Sequence, residues 1–269
     1  MIDRKVMNLR KRMAAGGTCC GVWLGLPSPT VCEILADSGV DFILADAEHS
    51  PFNQETQQHM LMAFRGSPTV PIIRVPWNDE VMIKQALDLG WGGVLIPQVN
   101  SPEEVRKAVA ACRYPPLGKR GWGPRRVANY GRDEEDYKEV GNDSVLCIIQ
   151  LESVTGADSV GEIVCIPGFD WIFVGRMDMA GSIGKVGENN SPEVWEAVRR
   201  IFDTAAGAGI PTGNAIQGMT PDAVQKQLDL GCRVILLGED CDILRESVEG
   251  GVQAFRNVMN SREISITSG

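Results

Sequence analysis

The stretch Leu44-Ala45-Asp46-Ala47-Glu48-His49-Ser50 ends an apolar run with two carboxylates and an imidazole. The chain has only two histidines among its 269 residues, and one of them stands here. Two later apolar runs also end in polar groups, at Gln150-Leu151-Glu152-Ser153 and at Val174-Gly175-Arg176-Met177-Asp178. Polar groups at the carboxyl ends of successive apolar strands are typical of the active-site face of a parallel barrel. The pattern therefore predicts a barrel with a chemical site at that face.

Short apolar runs alternate with segments of helical period along the chain. The predicted strands cover Cys20–Leu24, Phe42–Asp46, Ile72–Val75, Gly93–Ile96, Val145–Leu151, Trp171–Val174, Thr212–Ala215 and Val234–Leu237. Eight such runs, most of them followed by a helix, fit a (β/α)8 barrel better than an open sheet. We therefore expect an α/β fold in which residues 1–269 form a single domain, with a barrel core over about 18–258.

Three further segments are expected around the barrel. A polar amphipathic helix follows the N-terminus, which shows no apolar signal core. The irregular stretch from Tyr114 to about Gly141 is rich in Pro, Gly and Arg, and we expect an active-site loop whose basic residues attract anions. A helix from about Asp242 to Val258 precedes a polar tail, residues 259–269, predicted to be disordered or to reach a neighbouring subunit.

Composition excludes several functional classes. The formal net charge of −9 argues against nucleic acid as a partner, because no basic stripe offsets it. No apolar run is long enough to span a bilayer, so no membrane partner is expected. The eight cysteines lack zinc-site spacing and most are expected to be buried in a reducing compartment, which favours a cytoplasmic protein. Those within predicted strands and helices are Cys32, Cys112, Cys147, Cys165 and Cys232.

Glu152 and Asp178 each follow a predicted strand, and the fifth and sixth strands of a barrel are neighbours. Two carboxylates without thiolate or further imidazole ligands suit a hard divalent ion such as Mg²⁺ or Mn²⁺. The alternative is structural, with Asp178 as a helix N-cap and Glu152 as a solvated loop carboxylate. The residues alone leave both interpretations open.

Arg74 lies inside the apolar strand Pro71-Ile72-Ile73-Arg74-Val75. A buried charge is costly without a partner. Its guanidinium is predicted to hold a carboxylate, or an oxygen that becomes negative during a reaction. A structural ion pair with Asp46 or Glu48 is the alternative.

His49 has Asp46 three residues before it and Glu48 beside it, so a carboxylate could fix its tautomer. We favour a general acid/base role over a helix-capping one. Asp88 stands at a predicted helix C-terminus, where a carboxylate opposes the helix dipole. This unfavourable position indicates a functional role for Asp88, although a solvated carboxylate at the helix end is the simpler explanation. No lysine lies within a predicted strand, so a Schiff-base mechanism lacks a nucleophile.

Several motifs occur together in one order. They are Asp46-Ala47-Glu48-His49, Pro71-Ile72-Ile73-Arg74-Val75, Lys84-Gln85-Ala86-Leu87-Asp88-Leu89-Gly90, Arg113-Tyr114-Pro115-Pro116-Leu117-Gly118-Lys119-Arg120-Gly121, Gln150-Leu151-Glu152-Ser153 and Gly175-Arg176-Met177-Asp178. The chain closely resembles the HpcH/HpaI aldolase family, class II pyruvate aldolases that cleave 4-hydroxy-2-oxo acids. The resemblance runs from about residue 20 to 256 and implies a TIM-barrel enzyme whose partners are a 2-oxo acid and an aldehyde.

The resemblance also implies roles for individual residues. Glu152 and Asp178 would ligate the divalent metal, Mg²⁺ or Mn²⁺ with Co²⁺ as a third candidate. Arg74 would stabilise the enolate oxygen. His49, held by Asp46 and helped by Asp88 of another subunit, would move the proton through a water molecule. The substrate-binding positions would be Gln150, Gly175, Arg176 and Met177, with backbone N–H groups near Gly175 binding the carboxylate.

The family is typically hexameric, a trimer of dimers that exchange the C-terminal helix, so we expect a homo-oligomer. Bacterial members resemble Gly-Pro-x-Asp at the second metal ligand, whereas Arg176 and Met177 stand here. A charge and a bulky thioether beside the metal are expected to reshape the pocket for the acceptor aldehyde. An oxaloacetate decarboxylase, or a carbon–carbon bond-forming enzyme like macrophomate synthase, is the alternative activity. A non-catalytic barrel that binds a 2-oxo acid is disfavoured, because binding alone needs no acid/base histidine.

Overall fold

The computed structural model describes residues 4–216 and 218–267, and side chains as far as residue 260. Eight parallel strands close into a barrel in sequence order. They are β1 Cys19–Leu24, β2 Phe42–Asp46, β3 Val70–Arg74, β4 Gly93–Ile96, β5 Leu146–Leu151, β6 Trp171–Val174, β7 Thr212–Ala215 and β8 Val234–Glu239. The predicted (β/α)8 barrel is confirmed, and each strand overlaps its predicted range.

Helices surround the barrel between the strands. In the described part of the chain they are α1 Lys5–Ala14, α2 Pro29–Ala36, α3 Gln54–Ala63, α4 Glu80–Leu89, α5 Pro102–Cys112, α6 Glu134–Val140, α7 Val154–Asp158, α8 Val160–Ile163, α9 Arg176–Ser182, α10 Pro192–Gly207, α11 Pro221–Asp229 and α12 Asp240–Thr267. Ser28, Ser101 and Thr220 accept backbone hydrogen bonds at the starts of three of them, each followed by a proline.

The C-terminal helix is longer than the sequence predicted. It continues to Thr267, past the expected end near Val258, and no proline or glycine interrupts residues 252–267. Residues 268–269 of the predicted tail lie outside the described residues. The exchange of this helix between subunits stays a prediction.

The barrel interior is apolar at its N-terminal end. Side chains of Val6, Leu9 and Met13 on α1 pack against residues at the strand starts, including Phe42 and Val70. Helix α1 therefore closes this end of the barrel, and the polar residues of the interior lie towards the carboxyl ends of the strands.

The irregular stretch before β5 does not reach that polar end within one chain. It follows α5, which returns the chain to the N-terminal end of the barrel, as every helix of such a barrel does. The rings of Tyr114, Trp122 and Tyr137 pack on one another there, with centroids 4.8–6.2 Å apart. The expectation of an active-site loop overlooked this direction, since only loops that follow strands lie at the active-site face of the same chain.

Two smaller expectations can also be compared with the structure. Cys32, Cys112, Cys147 and Cys232 are buried free thiols as predicted, whereas Cys165 is exposed on the short turn after α8. No helix among the described residues has the length and apolar character needed to cross a bilayer.

Candidate active site

A cavity of about 790 Å³ opens at the carboxyl ends of the strands. Its wall includes most of the residues that the sequence singled out: Asp46, His49, Arg74, Gln150, Gly175, Arg176, Met177 and Asp178. Glu152 is 2% exposed and lies directly beneath Gly175. The structure therefore brings together nine of the ten predicted site residues, and Asp88 is the exception.

Arg74 is held by two carboxylates. Residues Asp46 and Arg74 face each other in the register of β2 and β3. The Nε and Nη2 atoms of Arg74 donate to the two Asp46 oxygens at 2.9 and 2.8 Å, and Nη1 lies 3.0 Å from Glu48 Oε2. Trp23 on β1 supports the guanidinium, whose carbon lies 4.5 Å from the ring centroid. The structural ion pair considered as an alternative is thus present, and donors on both Nη atoms remain available to a ligand.

Asp46 organises the loop after β2 as well. Its Oδ1 accepts hydrogen bonds from the backbone N–H groups of Glu48 and His49, at 3.1 and 3.3 Å. Burial opposes ionisation of this carboxyl, but the hydrogen bonds and charge of Arg74 outweigh it, and the Asp46 pKa is lowered. Asp46 is therefore an anion that fixes both the guanidinium and the loop.

His49 is positioned differently from the expectation. Its ring is largely exposed in the cavity mouth, and Nε2 lies 3.8 Å from Glu48 Oε2. Asp46 contacts the backbone of His49 and not its imidazole. The carboxylate beside the ring is therefore that of Glu48.

Glu152 is a buried carboxylate among other acids. Its Oε1 accepts the backbone N–H of Gln98 at 2.7 Å, and its Oε2 accepts a hydrogen bond from the Gln150 side-chain amide. Burial raises the Glu152 pKa to about 7, with repulsion from Asp178 and Glu48 acting in the same direction. This carboxyl is therefore poised to lose its proton when a cation arrives.

Asp178 supplies the second carboxylate of this group. It lies in the first turn of α9 and is exposed to the cavity, and its side chain makes no hydrogen bond or ion pair with another described residue. Burial, together with the charges of Asp46 and Asp178, raises the pKa of Glu48 although Arg74 opposes this. Oxygen donors that repel one another in this way fit a hard divalent cation. The N-cap alternative for Asp178 is wrong, because Gly175 occupies the N-cap position of α9.

Gly175 keeps space open beside Glu152. A Cβ at this position would lie 2.6 Å from Glu152 Oε2 and 2.7 Å from the Gln150 amide nitrogen. The N–H of Gly175 itself donates to Leu151, and no side chain caps α9. The N–H groups open to a carboxylate are therefore those of the following residues, Arg176 and Met177.

The side chains of Arg176 and Met177 line the cavity on one side. Arg176 is half-buried and donates to Asn190 Oδ1 at 2.8 Å and to the Ala215 carbonyl at 3.3 Å. Met177 is 59% exposed, with its sulfur 3.0 Å from the Asn189 amide nitrogen.

Asp88 lies at the opposite end of the barrel. It lies in the last turn of α4 and accepts a hydrogen bond from Arg120 Nη2 at 2.7 Å. This pair offsets the unfavourable dipole of the helix end. Within one chain Asp88 lies at the end of α4 that is remote from the cavity. A catalytic role would require the Asp88 side chain of another subunit, and this role stays a prediction.

Another group of possible ligands, Glu239, Asp240 and Cys241, lies at the end of β8. Both oxygens of Asp240 already accept backbone N–H groups, from Gly25 and Leu26, at 2.8 and 3.1 Å. Burial and the neighbouring acids raise the pKa of the Cys241 thiol, and a neutral thiol is a poor ligand. Glu152 and Asp178 are the better donor pair.

Sequence reasoning missed two contributors to the site. Trp23 stacks on Arg74, and its place on the interior of β1 could have been read from strand alternation. Gln98 donates its N–H to Glu152 from a backbone with φ of 55°. Its polar side chain two residues after β4 was a signal, since the carboxyl ends of other strands also carry polar residues.

The pH dependence of stability should reveal the Glu152 proton. Its folded-state pKa of about 7 exceeds the ordinary value of 4.5, so the folded form binds this proton more tightly. Below pH 4.5 the Glu152 carboxyl is protonated in both states and does not lower the free energy of unfolding. Above pH 7 it is ionised in both states, and the full cost of burying the charge lowers that free energy. In metal-free protein, Glu152→Gln should therefore gain stability over wild type as pH rises through this window. Urea unfolding measures the difference, and a difference independent of pH would contradict the assignment.

Comparisons with known proteins give the family of the chain. The sequence model of the HpcH/HpaI aldolase/citrate lyase family matches residues 20–246. The chain belongs to this family. It is 36% identical over 244 residues to a 5-keto-4-deoxy-D-glucarate aldolase of Enterobacter sp. (strain 638), covering 91% of this chain and 94% of the relative.

Solved structures of the family superpose on the whole barrel. A family member from Burkholderia cenocepacia J2315 has a TM-score of 0.87 at 31% identity, over 93% of this chain and 99% of that one. Macrophomate synthase has a TM-score of 0.80 at 27% identity, over 96% of this chain and 90% of that one. The family resemblance inferred from the motifs is confirmed, and the relatives named aldolases support a lyase.

Proposed function

We propose that this family member is a divalent-metal-dependent class II aldolase that cleaves or forms 4-hydroxy-2-oxo acids, with pyruvate and an aldehyde as the two fragments. The supporting observation is the buried carboxylate of Glu152 beside Asp178, in a cavity that also presents Arg74 and His49. Enolate chemistry needs carboxylates to hold a metal, a guanidinium to stabilise a negative oxygen and an imidazole to accept a proton, and this cavity presents all three.

Glu152 and Asp178 would hold the metal, Mg²⁺ or Mn²⁺, which supplies Lewis-acid polarisation of the 2-oxo group. The N–H groups of Arg176 and Met177 would bind the carboxylate of the 2-oxo acid. Arg74 keeps donors on both Nη atoms for the oxygen that becomes negative when the carbon–carbon bond breaks. Its ion pairs with Asp46 and Glu48 fix the guanidinium before substrate arrives, which lowers the cost of reorganisation.

His49 would accept the proton of the 4-hydroxyl, through a water molecule, as the aldehyde leaves. Glu48 stands beside the ring and can stabilise its protonated form, with Nε2 3.8 Å from Oε2. Asp46 would position His49 by accepting the backbone hydrogen bonds of the same loop. We also propose that Asp88 of a neighbouring subunit takes part in the proton transfer.

A homo-oligomer, a hexamer by family resemblance, is part of the proposal. Helix α12 exposes apolar side chains at helical spacing along one face: Leu244, Val248, Val252, Phe255, Val258 and Met259. An exposed stripe of this length is typical of a protein interface. It supports packing of α12 against a second copy.

The experiment is to strip the protein with EDTA, restore Mg²⁺, Mn²⁺ or Co²⁺, and measure pyruvate release from 4-hydroxy-2-oxo acids and from oxaloacetate. Metal-dependent cleavage of the hydroxy acids would support the aldolase. Turnover of oxaloacetate alone would favour the decarboxylase or carboligase, an activity related to that of macrophomate synthase. No turnover of any 2-oxo acid would favour the binding protein.

His49→Ala separates the two activities. Cleavage of a hydroxy acid should fall by roughly a hundred- to ten-thousandfold, because loss of the hydroxyl proton needs a base. Oxaloacetate decarboxylation should fall far less, since release of CO₂ requires no base. His59→Ala, on the exposed face of α3, is the matched control. Equal losses in both reactions of His49→Ala would exclude the proposed role.

A further inference from the structure

Another cavity, of about 730 Å³, opens at the end of the barrel that α1 closes. Its wall is formed by α1, the end of α3, the turn after α4 and the irregular stretch before β5, and we call it the N-terminal cavity. No described residue of this wall also lines the candidate active site. A volume of this size is typical of a small-molecule site.

The described wall of the N-terminal cavity is basic, although the whole chain carries a net charge of −9. Three cations, Lys5, Arg65 and Arg126, line it together with one carboxylate, Asp133. A basic concavity raises the local concentration of anions. The irregular stretch that was expected to attract anions therefore brings one of its arginines to this cavity and not to the active site.

Arg126 is the cation of this wall that is best placed to hold an anion. Its guanidinium is half-buried, and no carboxylate among residues 4–216 and 218–260 forms an ion pair with it. Nη1 donates to the Leu89 carbonyl at 2.8 Å. Burial and the charge of Arg65 lower the Arg126 pKa, although Tyr130 opposes this. A half-buried charge without a counter-ion is costly, and the remaining N–H donors can hold a carboxylate in two parallel bonds.

Gly90 allows the guanidinium of Arg126 to lie against the end of α4. A Cβ on Gly90 would lie 2.5 Å from Arg126 Nη1, and the φ of 105° at this position favours glycine. Arg126 can therefore reach the carbonyl of Leu89, the last residue of the helix. A guanidinium that is already held in place loses less freedom when a ligand binds.

Apolar side chains line the N-terminal cavity beside this charge. Phe64 and Trp91 are buried in its wall, whereas Met62 and Tyr130 are 51% and 62% exposed. Asn129 and Tyr130 have φ of 51° and 57°, a left-handed backbone that tyrosine adopts at a cost. Such strained residues cluster at ligand sites. A cation beside exposed apolar side chains fits a ligand that has both an anionic group and an apolar ring.

The cavity suits a carboxylate better than a phosphate. A dianion withdrawn from water needs two cations to neutralise it. Arg65 is exposed, and the Lys5 ammonium already donates to the Phe64 and Ser67 carbonyls, at 3.0 and 3.3 Å. The half-buried guanidinium of Arg126 therefore offers one charge, which matches one carboxylate.

We propose that the N-terminal cavity binds an aromatic monocarboxylate, whose carboxylate pairs with Arg126 and whose ring packs against Met62 and Tyr130. The site is additional to the proposed aldolase site. Its test measures neither turnover nor metal binding, so failure of the aldolase proposal leaves this inference untouched.

The test is calorimetric titration of the full chain with 1-naphthoate and with 1-naphthamide, which has the same ring and no charge. Wild type should bind the naphthoate more tightly. Arg126→Gln should weaken binding of the naphthoate by roughly ten- to a hundredfold, the effect of one charge-assisted hydrogen-bonded pair, and change binding of the amide much less. Arg126→Lys, which keeps the charge without the planar fork, should recover part of the affinity.

Tyr130→Ala gives an independent measure at an exposed position, and it should weaken binding of both compounds. Arg125→Gln is the matched control, because Arg125 is exposed, adjacent in sequence and outside the cavity wall. Urea unfolding checks that each variant folds.

Arg176→Gln probes the other cavity, which also offers guanidinium groups to an anion. Loss of naphthoate binding in Arg176→Gln but not in Arg126→Gln would overturn the inference. So would the absence of binding by wild type, equal affinity for naphthoate and naphthamide, no effect of Tyr130→Ala on either compound, or tighter binding of 1-naphthyl phosphate than of the naphthoate.

Discussion

Glu152→Gln should abolish metal-dependent turnover and weaken metal binding by far more than the roughly ten- to hundredfold that loss of an outer-shell partner costs. The substitution keeps the volume of the side chain and an oxygen that can accept the Gln98 N–H. It removes the negative charge, which is what a hard divalent ion requires of this site. Calorimetric titration of Mg²⁺ and Mn²⁺ into EDTA-stripped protein gives the affinity, and pyruvate release gives the turnover.

Asp178→Asn should act in the same direction, since the second carboxylate comes from the first turn of α9. Glu162→Gln is the matched control, because Glu162 is exposed on α8 and outside the cavity. Full activity or unchanged metal affinity in Glu152→Gln would refute the ligand assignment. The acids at the end of β8, Glu239 and Asp240, would then be the alternative metal ligands.

Arg74→Ala should reduce both stability and turnover. The buried Asp46 would lose the partner that holds it ionised, and breaking a buried pair costs about 3–5 kcal/mol of unfolding free energy. Loss of a donor to a developing negative oxygen lowers kcat by roughly a hundred- to a thousandfold. Urea unfolding and single-turnover cleavage measure the two effects separately.

Arg74→Lys distinguishes the two roles, because it retains a cation for Asp46 but loses the planar fork. A folded Arg74→Lys protein with a large loss of turnover supports a role in the reaction. A folded protein with normal turnover would limit Arg74 to the ion pair. The control is Arg106→Ala, whose exposed partner Glu103 makes a pair worth no more than about 1 kcal/mol.

The sequence was sufficient to predict the barrel because its signals are local. Apolar runs, glycines such as Gly90 at helix ends, and proline at helix starts each describe a few consecutive residues. The carboxyl ends of the strands then had to meet, so the clustering of residues such as Arg74, Glu152 and Asp178 followed from topology alone. Strand ends differed by one or two residues, since hydrogen bonds with neighbours set those limits.

The contacts within the site were less predictable. That Asp46 binds the backbone of His49 and not its ring depends on the geometry of one turn, which composition does not encode. Arg176 has no carboxylate partner among the described residues because its guanidinium lies against Trp195 of α10 and the Ala215 carbonyl of β7, both distant from Arg176 in the sequence. The composition of the irregular stretch after Tyr114 suggested an active-site loop, but the preceding helix α5 carries this stretch to the opposite end of the barrel.

Helix α12 has a practical consequence for handling the protein. Its first turns form part of the cavity wall, and its 28 residues make a rod about 42 Å long that continues to Thr267. A C-terminal affinity tag is therefore expected to disturb the cavity wall more than an N-terminal one, because α1 packs at the opposite end of the barrel.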